Sequence, residues 1–355
     1  MKNTRYNLIV VFGTMTILSL IAILTIVIDP YFHYHKPLPD FHYRISNQRY
    51  QNDGVLRNFD YDAIIIGTSM IENFKTTQLD ELFHVKSVLT PFSGASYKEI
   101  NDNMQRAIGY NKSIKMIVRS IDVNHYFDKV NDMRYDDSFY PKYLTNDNFF
   151  DDVSYFWNKS VLFNYTTEVL CTYSKGNGSV TEFDEAFNWN DRHEFGKEAV
   201  LASYERTGMK AEKIMIPTSK QIIDFKENID VNLVKAVKEN PEIQFYYFIT
   251  PYSVVYWDSM DRDGKLDMVL QAEKMVIESL LEYENVHLFS FSADLLITAD
   301  LNNYKDSIHY SEDINSYILQ SMKKNEHRLT KDNYEEYLKN VYYIYSTYDY
   351  DSLFQ

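Results

Sequence analysis

The sequence predicts an α/β domain: a central parallel sheet with helices on both faces, behind one N-terminal transmembrane helix. Three observations lead there. From Asp60 onward, short apolar runs alternate with helix-period patterns, the rhythm of strand–helix–strand units whose strands run parallel. Three of those runs end in small or polar residues: Gly67-Thr68-Ser69, "TPFSGAS" at 90–96, and "RSIDVNHYF" at 119–127. Parallel strands share their carboxyl ends, so all three belong to one edge, where α/β folds place their sites. Finally, Leu8 to Ile28 is a run of 21 residues without a charge.

At about 1.5 Å per residue that run makes a helix of roughly 30 Å, the thickness of the hydrocarbon core. Lys2 and Arg5 precede it and Asp29-Pro30 end it. By the positive-inside rule the N-terminus is cytoplasmic and the rest lies outside. The alternative is a cleaved signal peptide, for which the run is long and lacks a following A-x-A-like site. Residues 1–28 are therefore expected to be a cytoplasmic stub and uncleaved anchor. Residues 29–59, opening "DPYFHYHKPLPDFHYR", are expected to be an extended membrane-proximal neck. Tyr31 and Tyr34 suit headgroup depth. His33 and His35 put two imidazoles on one face of a strand, but no third ligand is near, so packing is the expected role.

The expected strands are Ala63–Ile66, Val85–Leu89, Met116–Ile121, Phe245–Ile249 and Val286–Phe289. The expected helices are 96–109, 231–239, 266–283 and 312–325. In the first of these, Tyr97, Ile100, Met104 and Ile108 fall on one face. Residues 128–225 break the rhythm. They are rich in Asp, Tyr, Phe and Asn, contain the flexible turn "SKGNGS" at 174–179, and suggest a mostly helical insertion at the sheet's carboxyl edge. The main domain thus spans 60–325, and 326–355 form a C-terminal helix and tail in which Tyr supplies the apolar area.

Composition excludes several functions. The formal net charge is −15 from 51 acidic and 36 basic residues, the wrong sign for a nucleic-acid footprint. The single cysteine, Cys171, allows neither an intrachain disulfide nor a thiolate metal cluster.

A strand-end serine is a helix cap or a nucleophile. Far downstream, "NNYKDSIHYSEDINSYI" at 302–318 places Asp306 three residues before His309, in a loop ahead of a helix that Ser311 can cap. An Asp so placed can hold an imidazole in one tautomer, and the imidazole can then take a proton from a serine hydroxyl. Serine needs that base because its own pKa is far too high for it to ionise.

The order Ser69, Gly94, Asn124, Asp306, His309 resembles the SGNH/GDSL hydrolase-like superfamily over about residues 60 to 325. In that superfamily a G-[DTS]-S block carries the nucleophile, a Gly and an Asn after the next two strands are oxyanion donors, and a D-x-x-H lies near the C-terminal end. Two blocks depart from the pattern: Gly67-Thr68-Ser69-Met70 stands for G-D-S-L, and Ile121-Asp122-Val123-Asn124 stands for G-x-N-D. Either Asn124 or Asp122 takes the third position. The resemblance implies a three-layer flavodoxin-like/SGNH sandwich with Ser69, His309 and Asp306 catalytic and the Ser69 amide, Gly94 and Asn124 forming the oxyanion hole, with no cofactor and no metal.

With the anchor, the chain resembles the extracytoplasmic branch that modifies the cell envelope, including alginate O-acetyltransferases and the D-alanine transfer protein of teichoic acid modification. That implies an esterase or acyltransferase acting on acyl esters of surface polysaccharide, beside a multi-pass membrane acyltransferase. Two alternatives come from other classes. One is a catalytically inactive glycan-binding or assembly protein on the same scaffold. The other is a metal phosphodiesterase, for which no Asp/His cluster beyond Asp306 and His309 is present.

Overall fold

The computed structural model describes residues 2–173, 180–206 and 215–355; the turn expected at 174–179 lies outside them. The chain divides into two compact units. One comprises Met1–Asp60 and Tyr135–Ala186, the other Tyr61–Arg134 and Phe187–Gln355.

The second unit holds a six-stranded sheet: β1 (Ala63–Gly67), β2 (Ser87–Pro91), β3 (Met116–Ile121), β4 (Gln244–Ile249), β5 (Val286–Ser290) and β6 (Arg328–Leu329), in the order β2-β1-β3-β4-β5-β6. The first five are parallel. β6 pairs antiparallel with β5, so the sheet is mixed rather than purely parallel. A two-residue strand carries no period of its own, and only its partner reveals it. β1 to β3 are buried throughout, which is why their sequences are continuous apolar runs rather than alternating ones.

Side chains alternate across the sheet, and β4 displays both faces. The Tyr247 hydroxyl lies 3.9 Å from Met104 Sδ of the Tyr97–Tyr110 helix. Tyr246 and Phe248 point the other way, to Phe83 and Phe74. This is the helix–sheet–helix arrangement expected of three layers. The expected 231–239 helix is the end of a longer helical run that starts at Ser219 and contains a π segment, Asp230–Val234. Two of the buried ionisable residues that escaped sequence reading tie helices to the sheet region. Arg119 of β3 donates to the carbonyls of Asn232 (2.8 Å) and Tyr97 (3.3 Å). Glu273, on the Leu266–Leu280 helix, accepts from the Tyr337 hydroxyl at 2.6 Å.

In the first unit the Lys2–Ile28 helix includes Thr4–Ile28, long and apolar enough to cross a membrane. The expected extended neck instead opens on a tight turn. Asp29 takes φ +47, and its carboxylate accepts the backbone N–H groups of His33, Tyr34 and His35 at 2.7–3.0 Å. A helix follows at Gln48–Asn58. Tyr31 is not a headgroup anchor: it is 3% exposed and stacks on Tyr155 at 5.5 Å. Tyr34 gives its hydroxyl to Asp152 at 2.5 Å. His33 faces Asp152 as well, at 3.4 Å, and no metal-binding group of His, Cys, Asp and Glu occurs among the described residues.

Candidate active site

The strand order reverses at β1, whose neighbours are β2 and β3. A crevice opens beyond the carboxyl ends of the strands at such a point. Gly67 closes β1 because a Cβ there would overlap the Ser120 hydroxyl of β3. The chain then turns into a 3-10 helix, Ser69–Ile71, whose N-cap is Thr68, not Ser69. Thr68 Oγ1 accepts from the Met70 amide at 3.3 Å and donates to Asp122 Oδ1 at 3.0 Å. Thr68 therefore does the capping, and the Ser69 hydroxyl is left for another partner.

That partner is His309: Ser69 Oγ lies 2.9 Å from its Nε2. The loop that brings it there is closed by the Tyr304–Tyr310 bridge and pinned where the Ser307 carbonyl accepts from the Ser253 amide (3.1 Å) and hydroxyl (2.8 Å). Asp306 Oδ2 lies 2.8 Å from His309 Nδ1. Asp306 Oδ1 accepts the amides of Ile308 (3.0 Å) and His309 (2.8 Å). Partial burial works against the Asp306 charge, but the bonds from the His309 ring and these amides outweigh it and hold the carboxyl at about 2. The carboxylate thus stays ionised beside the ring and fixes the tautomer that presents a bare Nε2 to the serine. Ser311 sits at the cap position of the next helix without a side-chain cap bond; the Glu312 amide goes to Asn190 Oδ1 instead, at 3.0 Å.

Of the three expected oxyanion donors, the Ser69 amide starts the 3-10 helix beside the relay. Gly94 sits in the turn closed by Ala95 N–H to Phe92 O at 2.9 Å, with φ +66. Glycine is favoured in that position of a tight turn. The turn is tied to β1 through Phe92 N–H to Gly67 O at 2.8 Å. Asn124 lies on the Val123–His125 turn after β3, exposed to solvent. Asp122 is buried and gathers three hydroxyls, from Thr68, Ser120 and Tyr252, at 3.0–3.2 Å. Burial raises its pKa, against the pull of the nearby His125 and those hydroxyls. Asp122 therefore braces the β1 end from behind, and Asn124, two residues on, is open to solvent.

Sequence reasoning missed Trp189. Its ring meets the His309 ring edge-to-face at 5.8 Å, its amide donates to Asn73 Oδ1 at 3.0 Å, and Lys305 Nζ lies 3.9 Å from its ring centroid. Nothing in "FNWND" announces a contact 120 positions away; among many aromatics, composition alone could not select it.

No family model matches the chain, and no curated protein does. Among solved structures, the chain is similar to a Streptococcus pneumonia protein described as a candidate platelet activating factor. The two share 12% identity at a TM-score of 0.39, with 78% of this chain and 92% of that chain covered. A likeness of that degree fixes neither ancestry nor chemistry.

Proposed function

We propose that the protein is a membrane-anchored serine esterase or O-acyltransferase of the SGNH type, acting outside the cytoplasm on acyl esters of cell-surface polysaccharide. The observation that carries the reading is the unbroken relay Ser69 Oγ–His309 Nε2 (2.9 Å) and His309 Nδ1–Asp306 Oδ2 (2.8 Å), at the reversal of a 2-1-3-4-5 strand order that matches the flavodoxin-like pattern.

His309 takes the Ser69 proton as Ser69 Oγ attacks the ester carbonyl. Asp306 stabilises the imidazolium. The amides of Ser69 and Gly94 and the side chain of Asn124 would be the donors for the oxyanion, each such bond worth about 3 kcal/mol. The departing alcohol takes the proton back from His309, leaving an acyl-serine. Water then completes hydrolysis, or a sugar hydroxyl completes transfer, with His309 again as base. A multi-pass membrane acyltransferase is the fitting donor-side partner for the transfer branch.

The third block, where Asp122 is buried against Thr68 and G-x-N-D is not kept, favours a second reading, an inactive glycan-binding or assembly protein on the same scaffold. A fluorophosphonate probe separates the two. Labelling at Ser69 that disappears in Ser69→Ala is the result expected of the enzyme; a folded protein that takes no label overturns it.

A further inference from the structure

The helix Lys2–Ile28 carries large exposed apolar side chains over most of its length, but within its own unit it has company near the carboxyl end. Thr25 Oγ1 donates to the Phe156 carbonyl at 3.1 Å. Trp157 Nε1 donates to the Leu18 carbonyl at 3.0 Å. Ala22 and Ile26 pack against a cluster that includes Tyr31, Tyr155 and Phe156. From Leu18 to the helix end at Ile28 the axis runs about 15 Å, roughly half the hydrocarbon thickness. A segment held against that stretch of a spanning helix shares its depth in the bilayer.

The outward surface of the segment suits that depth. Phe150 is 87% exposed, Phe163 67%, Phe149 55% and Trp157 43%. In water, a fully exposed Phe forgoes about 1.5–3 kcal/mol of burial, and Phe149 and Phe150 meet edge to face at 6.5 Å, so they form an apolar patch rather than lone aromatics. The inward surface is an apolar cluster with Tyr155, Phe156 and Val161 at its centre, and the one Tyr155 polar atom there is used: its hydroxyl donates to Asp29 at 2.8 Å. Much of the backbone runs in short helical turns, Val153–Phe156, Val161–Thr166 and Thr167–Tyr173, which keep those hydrogen bonds internal as an apolar phase requires. The Trp157 N–H, which would be an unmet donor in lipid, is met by the helix carbonyl. Lys159 and Asn164 are also exposed, which sets the segment at the boundary of headgroups and acyl chains rather than at the bilayer centre.

We propose that residues 149–170 form a second membrane-contacting element, an aromatic collar on the anchor. It inserts into the leaflet at the carboxyl end of the span, with lipid acyl chains as its partner. Two attached surfaces restrict tilt and depth more than one helix can, so the collar holds its unit at a defined height. The proposal rests on Thr4–Ile28 being a spanning helix, and the experiment separates the two.

Cys171, the single cysteine, is removed as Cys171→Ser. Single cysteines are then placed by Phe150→Cys, Phe163→Cys, Leu20→Cys on the span and Lys331→Cys on the other unit. Each full-length protein carries an environment-sensitive fluorophore and is reconstituted in phosphatidylcholine vesicles with bromine on the acyl chains. The expected result is blue-shifted, bromine-quenched emission at 150 and 163, strongest with bromine near the headgroup, with quenching at 20 and none at 331. Quenching at 20 but not at 150 and 163 overturns the collar and leaves the anchor standing. Loss of quenching at 20 as well overturns both. A blue shift at 150 and 163 that depends on protein concentration and ignores bromine overturns lipid as the partner in favour of a second copy of the chain.

Discussion

The Thr68 hydroxyl donates to the Asp122 carboxylate at 3.0 Å, linking the end of β1 to the end of β3 where the strand order reverses. The same oxygen accepts the Met70 amide. One side chain thus caps the turn that carries Ser69 and braces it against the sheet.

Thr68→Val keeps the shape and removes both bonds, leaving the Asp122 carboxyl short of a donor. A loss of about 1–3 kcal/mol is expected, read as a lower denaturation midpoint at unchanged slope. Thr68→Ser restores most of it. A neutral Thr68→Val would mean that Asp122 is satisfied without this bond.

Ser69→Ala and His309→Ala are each expected to lose about 10⁶-fold in kcat on an arylester or acetylated-sugar substrate, and the double variant hardly more, because the two act as one unit. Additive losses, or full activity in Ser69→Ala, would sever Ser69 from the chemistry.

Asp306→Asn is expected to be milder, about 10⁴-fold, since His309 keeps its place but loses the ionised partner. A second readout is stability against pH. The folded carboxyl sits at about 2, below its ordinary value of 3.8. Its contribution is therefore present above pH 3.8 and is lost as the pH falls through about 2. Asp306→Asn should flatten that acid limb. An unchanged limb would show that Asp306 is no more favourably placed folded than unfolded.

Glu273 has the opposite sign. Burial lifts its carboxyl from 4.5 to about 7, against the pull of the Tyr337 hydrogen bond. The folded state then binds a proton that the unfolded state has released, so stability falls as the pH rises from 4.5 to 7, by up to about 3 kcal/mol. Glu273→Gln stays neutral, and its unfolding free energy should be flatter across that window. Parallel curves for the two proteins would count against a raised Glu273.

The five parallel strands could be read from the chain because each is a largely buried, mostly apolar run, and burial on both faces writes that pattern directly into composition. The D-x-x-H pair was legible for a similar reason: three residues in one loop keep Asp306 and His309 within reach whatever surrounds them. Tertiary structure decided the rest. Whether Ser69 capped a helix or faced a base depended on Thr68 taking the cap and on a loop 240 positions away arriving within 2.9 Å. Asp122 and Asn124 are two residues apart in one polar stretch, yet the turn after β3 buries the first against Thr68 and exposes the second. The aromatics show the same division. Tyr31, beside the apolar helix, has the sequence of a headgroup anchor and is buried against Tyr155, while Phe150 and Phe163 lie more than a hundred positions on and face outward. Hydrophobicity is written residue by residue, but which surface an aromatic covers is set by contacts between distant segments, and local pattern carries no record of those.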